Sequence, residues 1–250
     1  MHLNSFGLSD IGLSRTNNED VWASLPEIGF FALADGMGGQ RAGEIAAKEA
    51  IESLIASACS ITKESCMELI IDLRQAIEKA NQWVYQKSLS SQLLSGMGTT
   101  LCCLFWTEEA IIYAHVGDSR IYRHRNGTLE LLTQDHSLFA KWLAMGKLAE
   151  KCATPYPYKH VITRALGTIH RAKPEIAVAK HKLGDLFFLC TDGLSDVLTL
   201  QEMENILNNS ENLSTACKSL ISKAKFKGSS DNITLLMIQS ESLCGENLLR

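Results

Sequence analysis

At 250 residues and 46% hydrophobic content, the chain can bury a sizeable core, in one large domain or two small ones. Its 24 basic and 28 acidic residues leave a formal charge of −4 with the two signs interspersed, which argues against a broad nucleic-acid or anionic-membrane footprint. No apolar stretch approaches the ~20 residues that span a bilayer, and Met1-His2-Leu3-Asn4-Ser5 does not begin a secretory signal, so a cytoplasmic location is expected.

In chain order, 28–35 reads as a strand through Ile28, Phe30, Phe31 and Leu33, delivering Asp35 to the turn Gly36-Met37-Gly38-Gly39. Helices follow at 40–58 and 63–88, where apolar residues recur at helical spacing. The period then shortens: Thr99–Trp106, Ala110–Val116, Arg120–Arg125 and Leu129–Leu132 read as successive strands of an antiparallel meander. Residues 137–160 combine a short amphipathic helix at Leu138–Leu143 with Pro155-Tyr156-Pro157-Tyr158, the pattern of a surface lobe in which Tyr156 and Tyr158 either meet a partner or pack on their own domain. Strands at Glu175–Lys180 and Asp185–Thr191, helices at 200–208 and 212–225, a strand at Asn232–Gln239 and a frayed tail at 241–250 complete the chain. Strands and helices come in blocks, which favours antiparallel sheets covered by helices.

The eight cysteines are dispersed, none in a Cys-x-x-Cys spacing, and Cys102-Cys103 would face opposite sides of a strand. Free, mostly buried thiols, with Cys190 in the core, fit this better than disulfides or zinc. The chemistry lies instead in acidic residues at strand ends beside Gly or Asn: Asp35-Gly36, Gly117-Asp118, Asp192-Gly193 and Asp231-Asn232, with Glu19-Asp20 near the first strand. Hard cations such as Mg²⁺ or Mn²⁺ take such oxygen ligands. A single Asp-Gly is an ordinary turn, so the argument is collective. Converging carboxylates ~4 Å apart repel by about 4 kcal/mol per pair at an effective dielectric of 20, and only cations or raised pKa values resolve that.

The order of Arg15-Thr16-Asn17-Asn18-Glu19-Asp20, Asp35-Gly36-Met37-Gly38-Gly39, Gly117-Asp118-Ser119-Arg120, Thr191-Asp192-Gly193 and Gly228-Ser229-Ser230-Asp231-Asn232 resembles the metal-dependent protein Ser/Thr phosphatases of the protein phosphatase 2C type, in their bacterial branch. Gly98-Thr99-Thr100, Gln134-Asp135-His136-Ser137 and Ile162-Thr163-Arg164-Ala165-Leu166-Gly167 extend the likeness over Phe6 to Gln239.

The resemblance implies an α+β fold, a four-layer αββα sandwich of two antiparallel sheets flanked by helices, as one catalytic domain over 1–240 with a flap at 137–160. It also implies two ions of Mn²⁺ or Mg²⁺ and a weaker third. Asp35 would bridge two metals with the Gly36 carbonyl beside it, Asp192 and Asp231 would complete the pair, and Asp118 would serve the third. Glu19 would act through water, Asp20 would orient waters, and Arg15 would grip the substrate phosphate with a planar fork of donors.

Paired cations would lower the pKa of a water for in-line attack on phosphorus, with no covalent phosphoenzyme. The expected activity is hydrolysis of phosphoserine and phosphothreonine in proteins, opposing a bacterial Ser/Thr kinase, by a monomer with no nucleic-acid or membrane partner. Eukaryotic relatives often place a histidine after the first Asp-Gly as general acid; here Met37 stands there, so a metal-bound water or another group must give the proton. His115 and His136 are read as structural, His136 bonding within its own turn. A catalytically silent binding module on the same fold would lack Asp35, Asp192 or Asp231, and all are present. A phosphatase acting on an anti-sigma antagonist usually carries sensory domains that this sequence does not show.

Overall fold

Period-two alternation sorts the strand residues into separate apolar layers. The computed structural model of the chain describes residues 2–38, 42–62, 65–146, 158 and 161–241. One sheet runs β1 (His2–Asp10), β11 (Ile233–Glu241), β10 (Leu186–Cys190), β7 (Arg120–Arg125) and β8 (Thr128–Leu131). The other runs β2 (Asp20–Leu25), β3 (Phe30–Met37), β5 (Leu101–Trp106), β6 (Ile111–Val116) and β9 (Glu175–Ala179), with β4 (Gly98–Thr99) paired to the end of β3. Every pairing between these strands is antiparallel.

Phe31, Leu33, Cys102 and Leu104 of one sheet meet Ile121, Phe187, Leu189, Leu236 and Ile238 of the other in the central layer. The alternate residues Phe30, Ala32, Ala34, Cys103 and Phe105 face α1 (Ala42–Ala58) and α2 (Cys66–Leu89). Small residues Ala42, Ala46, Ala47 and Ala50 let α1 lie close on that sheet. On the far side Tyr122, Phe188, Cys190, Leu235 and Met237 pack under α5 (Leu200–Asn208) and α6 (Leu213–Phe226). The αββα sandwich is thus the observed fold. Ser65 caps α2, a Thr199–Glu202 capping box starts α5, and Asn212 caps α6, each satisfying N–H groups left open at a helix start.

Three expectations need correction. The strand drawn at 28–35 begins at Phe30, since Ile28 belongs to a short 3-10 turn, Pro26–Ile28, and it runs on through Gly36 and Met37. The four strands over 99–132 are not one meander: β5 and β6 pair in one sheet, whereas β7 and β8 pair in the other. The intervening Gly117-Asp118-Ser119 carries the chain across the end of the sandwich rather than back along the same sheet. The long β1 was not drawn from the sequence; it is an edge strand broken by polar residues and Gly7, which passes against the Trp22 ring.

Cys102 and Cys103 occupy opposite layers, Cys190 is in the core, and Cys59, Cys66, Cys102, Cys103, Cys190 and Cys217 are free thiols. In the lobe, α3 (Leu138–Ala144) matches the amphipathic segment, and Trp142 meets Tyr158 edge to face at 6.5 Å, so Tyr158 packs on its own domain. Tyr156 and residues 242–250 lie outside the described residues, while Glu241 still pairs with His2. Among the described residues no helix is long and apolar enough to cross a membrane.

The return from the lobe is clamped from within α2. Asn81 is fully buried; its amide donates to the carbonyls of Ile169 and His170, each at 3.1 Å, and accepts the Gly167 N–H at 2.9 Å. Asn81→Ala leaves those groups unpaired in the interior and is expected to cost about 2–4 kcal/mol. Urea unfolding checks this, and a midpoint shift worth less than about 1 kcal/mol would mean that the clamp carries no load.

Candidate metal centre

At one end of the central layer the inward rows turn polar. Phe31 and Leu33 lead to Asp35, Leu104 and Cys102 to Thr100, Ile121 to Ser119, Leu189 to Thr191, and Leu236 to Thr234 and Asn232. Asp20 stands directly opposite Asp35 in the β2–β3 register, so both carboxylates project on the same side. The apolar filling of the sandwich ends where the carboxylates begin.

The backbone here is fixed by hydrogen bonds from main-chain, threonine and asparagine groups. The Asp35 N–H donates to Thr100 Oγ1 at 3.0 Å, and the Asp35 carbonyl accepts from Thr100 N and Thr99 Oγ1, both at 2.8 Å. Gly36 N–H donates to the Glu19 carbonyl at 3.1 Å. A Cβ on Gly36 would sit 2.1 Å from the Gly43 carbonyl oxygen and 2.8 Å from that of Glu19, so only glycine lets the three backbones meet. Asn232 joins the ends of the chain: its Oδ1 accepts from Glu19 N at 2.9 Å, and its Nδ2 donates to the carbonyls of Ile11 and Asn17, each at 3.0 Å.

Arg15, Glu19, Asp35, Gly36, Asp118, Asp192 and Asp231 line one cleft of about 650 Å³, with Met37, Ile162 and Val197 as apolar wall. Residues up to 216 positions apart therefore converge: Arg15 Nη2 donates to Asp231 Oδ2 at 2.8 Å. Asp192 opens α4 (Asp192–Ser195), a one-turn helix that begins after Thr191 where β10 ends. Asp118 occupies the crossing between the sheets and is 8% exposed.

Asp20 does not line the cleft. It lies beneath, where Oδ2 accepts from Thr191 Oγ1 at 3.0 Å. His115 is a satisfied strand histidine, Nε2 being 2.8 Å from the Gln134 carbonyl. His136 does not bond within its turn; its Nδ1 accepts the Gly117 N–H, because that turn is laid against the crossing loop. No histidine among the described residues lines the cleft, where Met37 stands.

Sequence reasoning missed Asn232, Thr100, Thr191 and Thr234 as supports. Their signal was available in the polar residues that end apolar alternating rows.

The donor set fits hard cations. Buried oxygens Asp20 Oδ1 and Asp118 Oδ1 have no hydrogen-bond partner among the described residues. Burial holds Asp35 well above the ordinary carboxylate range, with the charges of Asp20, Asp192, Asp231 and Asp118 adding to it. Burial pushes Asp20 up to about 7 against hydrogen bonds from Thr234 and Thr191, the charges of Asp192 and Asp231 acting with it. Burial and Asp192 bring Asp118 to about 7 as well. Burial also raises Glu19, despite Arg15. Such acids compete for protons unless positive charge is supplied.

A helix-covered double sheet with an acid-lined, arginine-edged cleft at one end defines a metal-dependent site for an anionic substrate. A family model described as Protein phosphatase 2C matches residues 14–227. The serine/threonine phosphatase stp of Listeria welshimeri is 35% identical over 236 residues, 92% of this chain and 93% of that protein. Among solved structures, the S. agalactiae serine/threonine phosphatase has a TM-score of 0.90 at 32% identity, covering 96% of this chain and 100% of its own. The catalytic domain of the phosphatase PstP in complex with 2 manganese ions has a TM-score of 0.85 at 31% identity, over 95% of this chain and 97% of its own.

The chain belongs to the protein phosphatase 2C family. It is a protein-serine/threonine phosphatase, of a metal-dependent kind.

A carboxyl with a folded pKa above its unfolded value binds its proton more tightly in the native state. Between about 4 and about 7, Asp20 and Asp118 therefore make chelated protein more stable as the pH falls. His115 and His136, lowered by burial, His136 to about 4, act in the opposite sense below about 6.5. Comparing cation-loaded with chelated protein largely cancels the histidines. The rise in Tm on adding Mn²⁺ is expected to shrink as the pH is lowered from about 8 to about 5.5; a rise that stays constant would deny these carboxyls an ion.

Proposed function

We propose that the cleft hydrolyses phosphoserine and phosphothreonine in partner proteins with the help of divalent cations, Mn²⁺ or Mg²⁺, two per site and a weaker third. The observation that carries this is the convergence of Arg15, Asp35, Asp118, Asp192 and Asp231 on one cleft. Asp35, the Gly36 carbonyl, Asp192 and Asp231 would hold the principal ions, and Asp118 the third. Cations held there would lower the pKa of a water for in-line attack on phosphorus and neutralise phosphoryl oxygens.

The chain's own groups account for the rest. Arg15 is half exposed at the cleft edge, and with one guanidinium nitrogen on Asp231 it keeps further N–H donors to grip a phosphate. Glu19 and Asp20 order water around the acids, Glu19 from the cleft wall and Asp20 from below. Met37 has no proton to give, so the leaving alkoxide takes its proton from another source. We read residues 1–240 as one catalytic domain, acting as a monomer in a bacterial cytoplasm and reversing the work of a Ser/Thr kinase.

A phosphothreonine peptide is expected to be hydrolysed with Mn²⁺ and not with chelator. Asp192→Ala and Asp231→Ala should each lower turnover by about 10²-fold or more, beyond the loss typical of outer-shell changes. Absence of turnover in metal-loaded intact protein would favour a binding module instead. Arg15→Ala should raise KM about tenfold, the cost of a charged hydrogen bond, and an unchanged KM would remove it from phosphate binding.

A further inference from the structure

Behind the crossing loop lies a polar cluster that takes no part in lining the cleft: His115 ending β6, His136 before α3, Arg164 beyond the lobe, and Glu175 starting β9. The two imidazoles are buried and stacked, with centroids 4.5 Å apart. Ligand atoms of His115, His136 and Glu175 lie within 4.8 Å of one another, a donor set that zinc accepts.

The proton positions argue against that use. A neutral imidazole has one nitrogen free to accept, and on His136 it is Nδ1, which takes the Gly117 N–H at 3.2 Å. Nε2 therefore carries the proton and donates it towards Glu175 Oε1, 3.1 Å away. A metal on Nε2 would require an imidazolate. Arg164 Nη1 donates to the same Glu175 oxygen at 2.9 Å and stands 3.0 Å from Nε2, where with Nδ1 already accepting it meets a second donor rather than a hydrogen-bond acceptor and places a positive charge where an ion would sit.

We propose that His136, as the Nε2–H tautomer, is a positioning residue that sets the backbone of Gly117 and thereby aims the Asp118 carboxylate into the cleft. The proposal rests on the reading of Asp118 as ligand of the third ion. The backbone N–H of His136 also donates to the Gly117 carbonyl at 2.8 Å, so the main chain holds one side of Gly117 and the imidazole the other. Gly117 has φ +106°, and a Cβ there would meet Thr100 Cγ2 at 2.7 Å, so this conformation needs both glycine and an outside tether. Beyond Asp118, Ser119 Oγ shares a hydrogen bond of 2.7 Å with Thr100 Oγ1, and Arg120 forks onto Asp135 at 2.9 and 2.7 Å. The residues on either side of Asp118 are pinned, while its own Oδ1 has no partner among the described residues.

Asparagine can place an amide oxygen where the imidazole carries Nδ1, whereas glutamine reaches only towards the Nε2 position. Mn²⁺ titration calorimetry on intact protein, His136→Asn, His136→Gln and Asp118→Asn, with Tm measured on each, separates the roles. The expected result is that His136→Asn binds like the unaltered protein, His136→Gln weakens only the third ion by about tenfold, and Asp118→Asn loses it.

Third-ion affinity unchanged in His136→Gln, or lost equally in His136→Asn, overturns the positioning role. Third-ion binding retained in Asp118→Asn shows instead that the reading of Asp118 has failed, and the proposal falls with it. Tight Zn²⁺ binding that persists in Asp192→Ala and vanishes in His136→Gln would make the cluster a metal site and overturn the proposal too. Should His136→Gln fail to fold, nitrogen NMR of the His136 ring in the unaltered protein decides: a proton on Nδ1 refutes the tether.

Discussion

Everything at the active end of this protein follows from concentrating carboxylates where water has largely been removed. Asp20, Asp35 and Asp118 each resist ionisation, mainly through burial and then through neighbouring carboxylates, Asp192 among them in every case. Side chains could relieve this by pairing each acid with a base, as Arg125 does for Asp185 and Lys225 for Asp10. In the cleft the supporting polar groups instead bind mostly to backbone. Thr99 and Thr100 hold the main chain at Asp35, and Asn232 holds the main chain at Glu19, Ile11 and Asn17. The main chain is held in place while Asp20 Oδ1 and Asp118 Oδ1 have no partner among the described residues, the kind of preorganisation that ion binding rewards.

The two sheets divide the labour. The sheet of β2 and β3 supplies Asp20 and Asp35, and the sheet of β10 and β11 supplies the strands that lead to Asp192 and Asp231. The crossing at Gly117-Asp118-Ser119 belongs to neither and joins the two. Asp118 consequently depends on what braces the crossing, including the turn ahead of the lobe and the strand pair Ser137 and Ile162 at its base. The lobe base also reaches Asp35 through one residue: Leu166 pairs with Thr99, whose hydroxyl donates to the Asp35 carbonyl.

Much of this was legible in the sequence. The acid-glycine words named Asp35, Asp118, Asp192 and Asp231 because turn chemistry and metal chemistry both leave local marks. The longer helices were legible from spacing alone, with ends within a few residues, whereas the single turn of α4 was not. The sheet switch was not, since a short Gly-Asp-Ser turn between two apolar runs reads locally as a hairpin and only long-range packing sends β7 to β10. Asn81 falls on the buried face of α2, and nothing local marks it, because its partners lie 86 to 89 positions away. His136 misled for the same reason: its bonding partner is 19 residues distant, across a crossing that the local pattern does not announce.

The polar ends of the inward rows also tie catalysis to strand register. Because side chains alternate with period two, sliding β3 by one residue would turn Asp35 towards the layer under α1 and bring its neighbours Ala34 and Gly36 to the cleft side. The same slip would part Asp35 from Asp20 and from Thr100 together. A misaligned chain could keep much of its apolar burial, since Ala32, Leu33 and Ala34 are all tolerable inside either layer, yet it would present no coherent set of acids. The cleft is therefore a readout of the sandwich, assembling only when both sheets are in their native alignment.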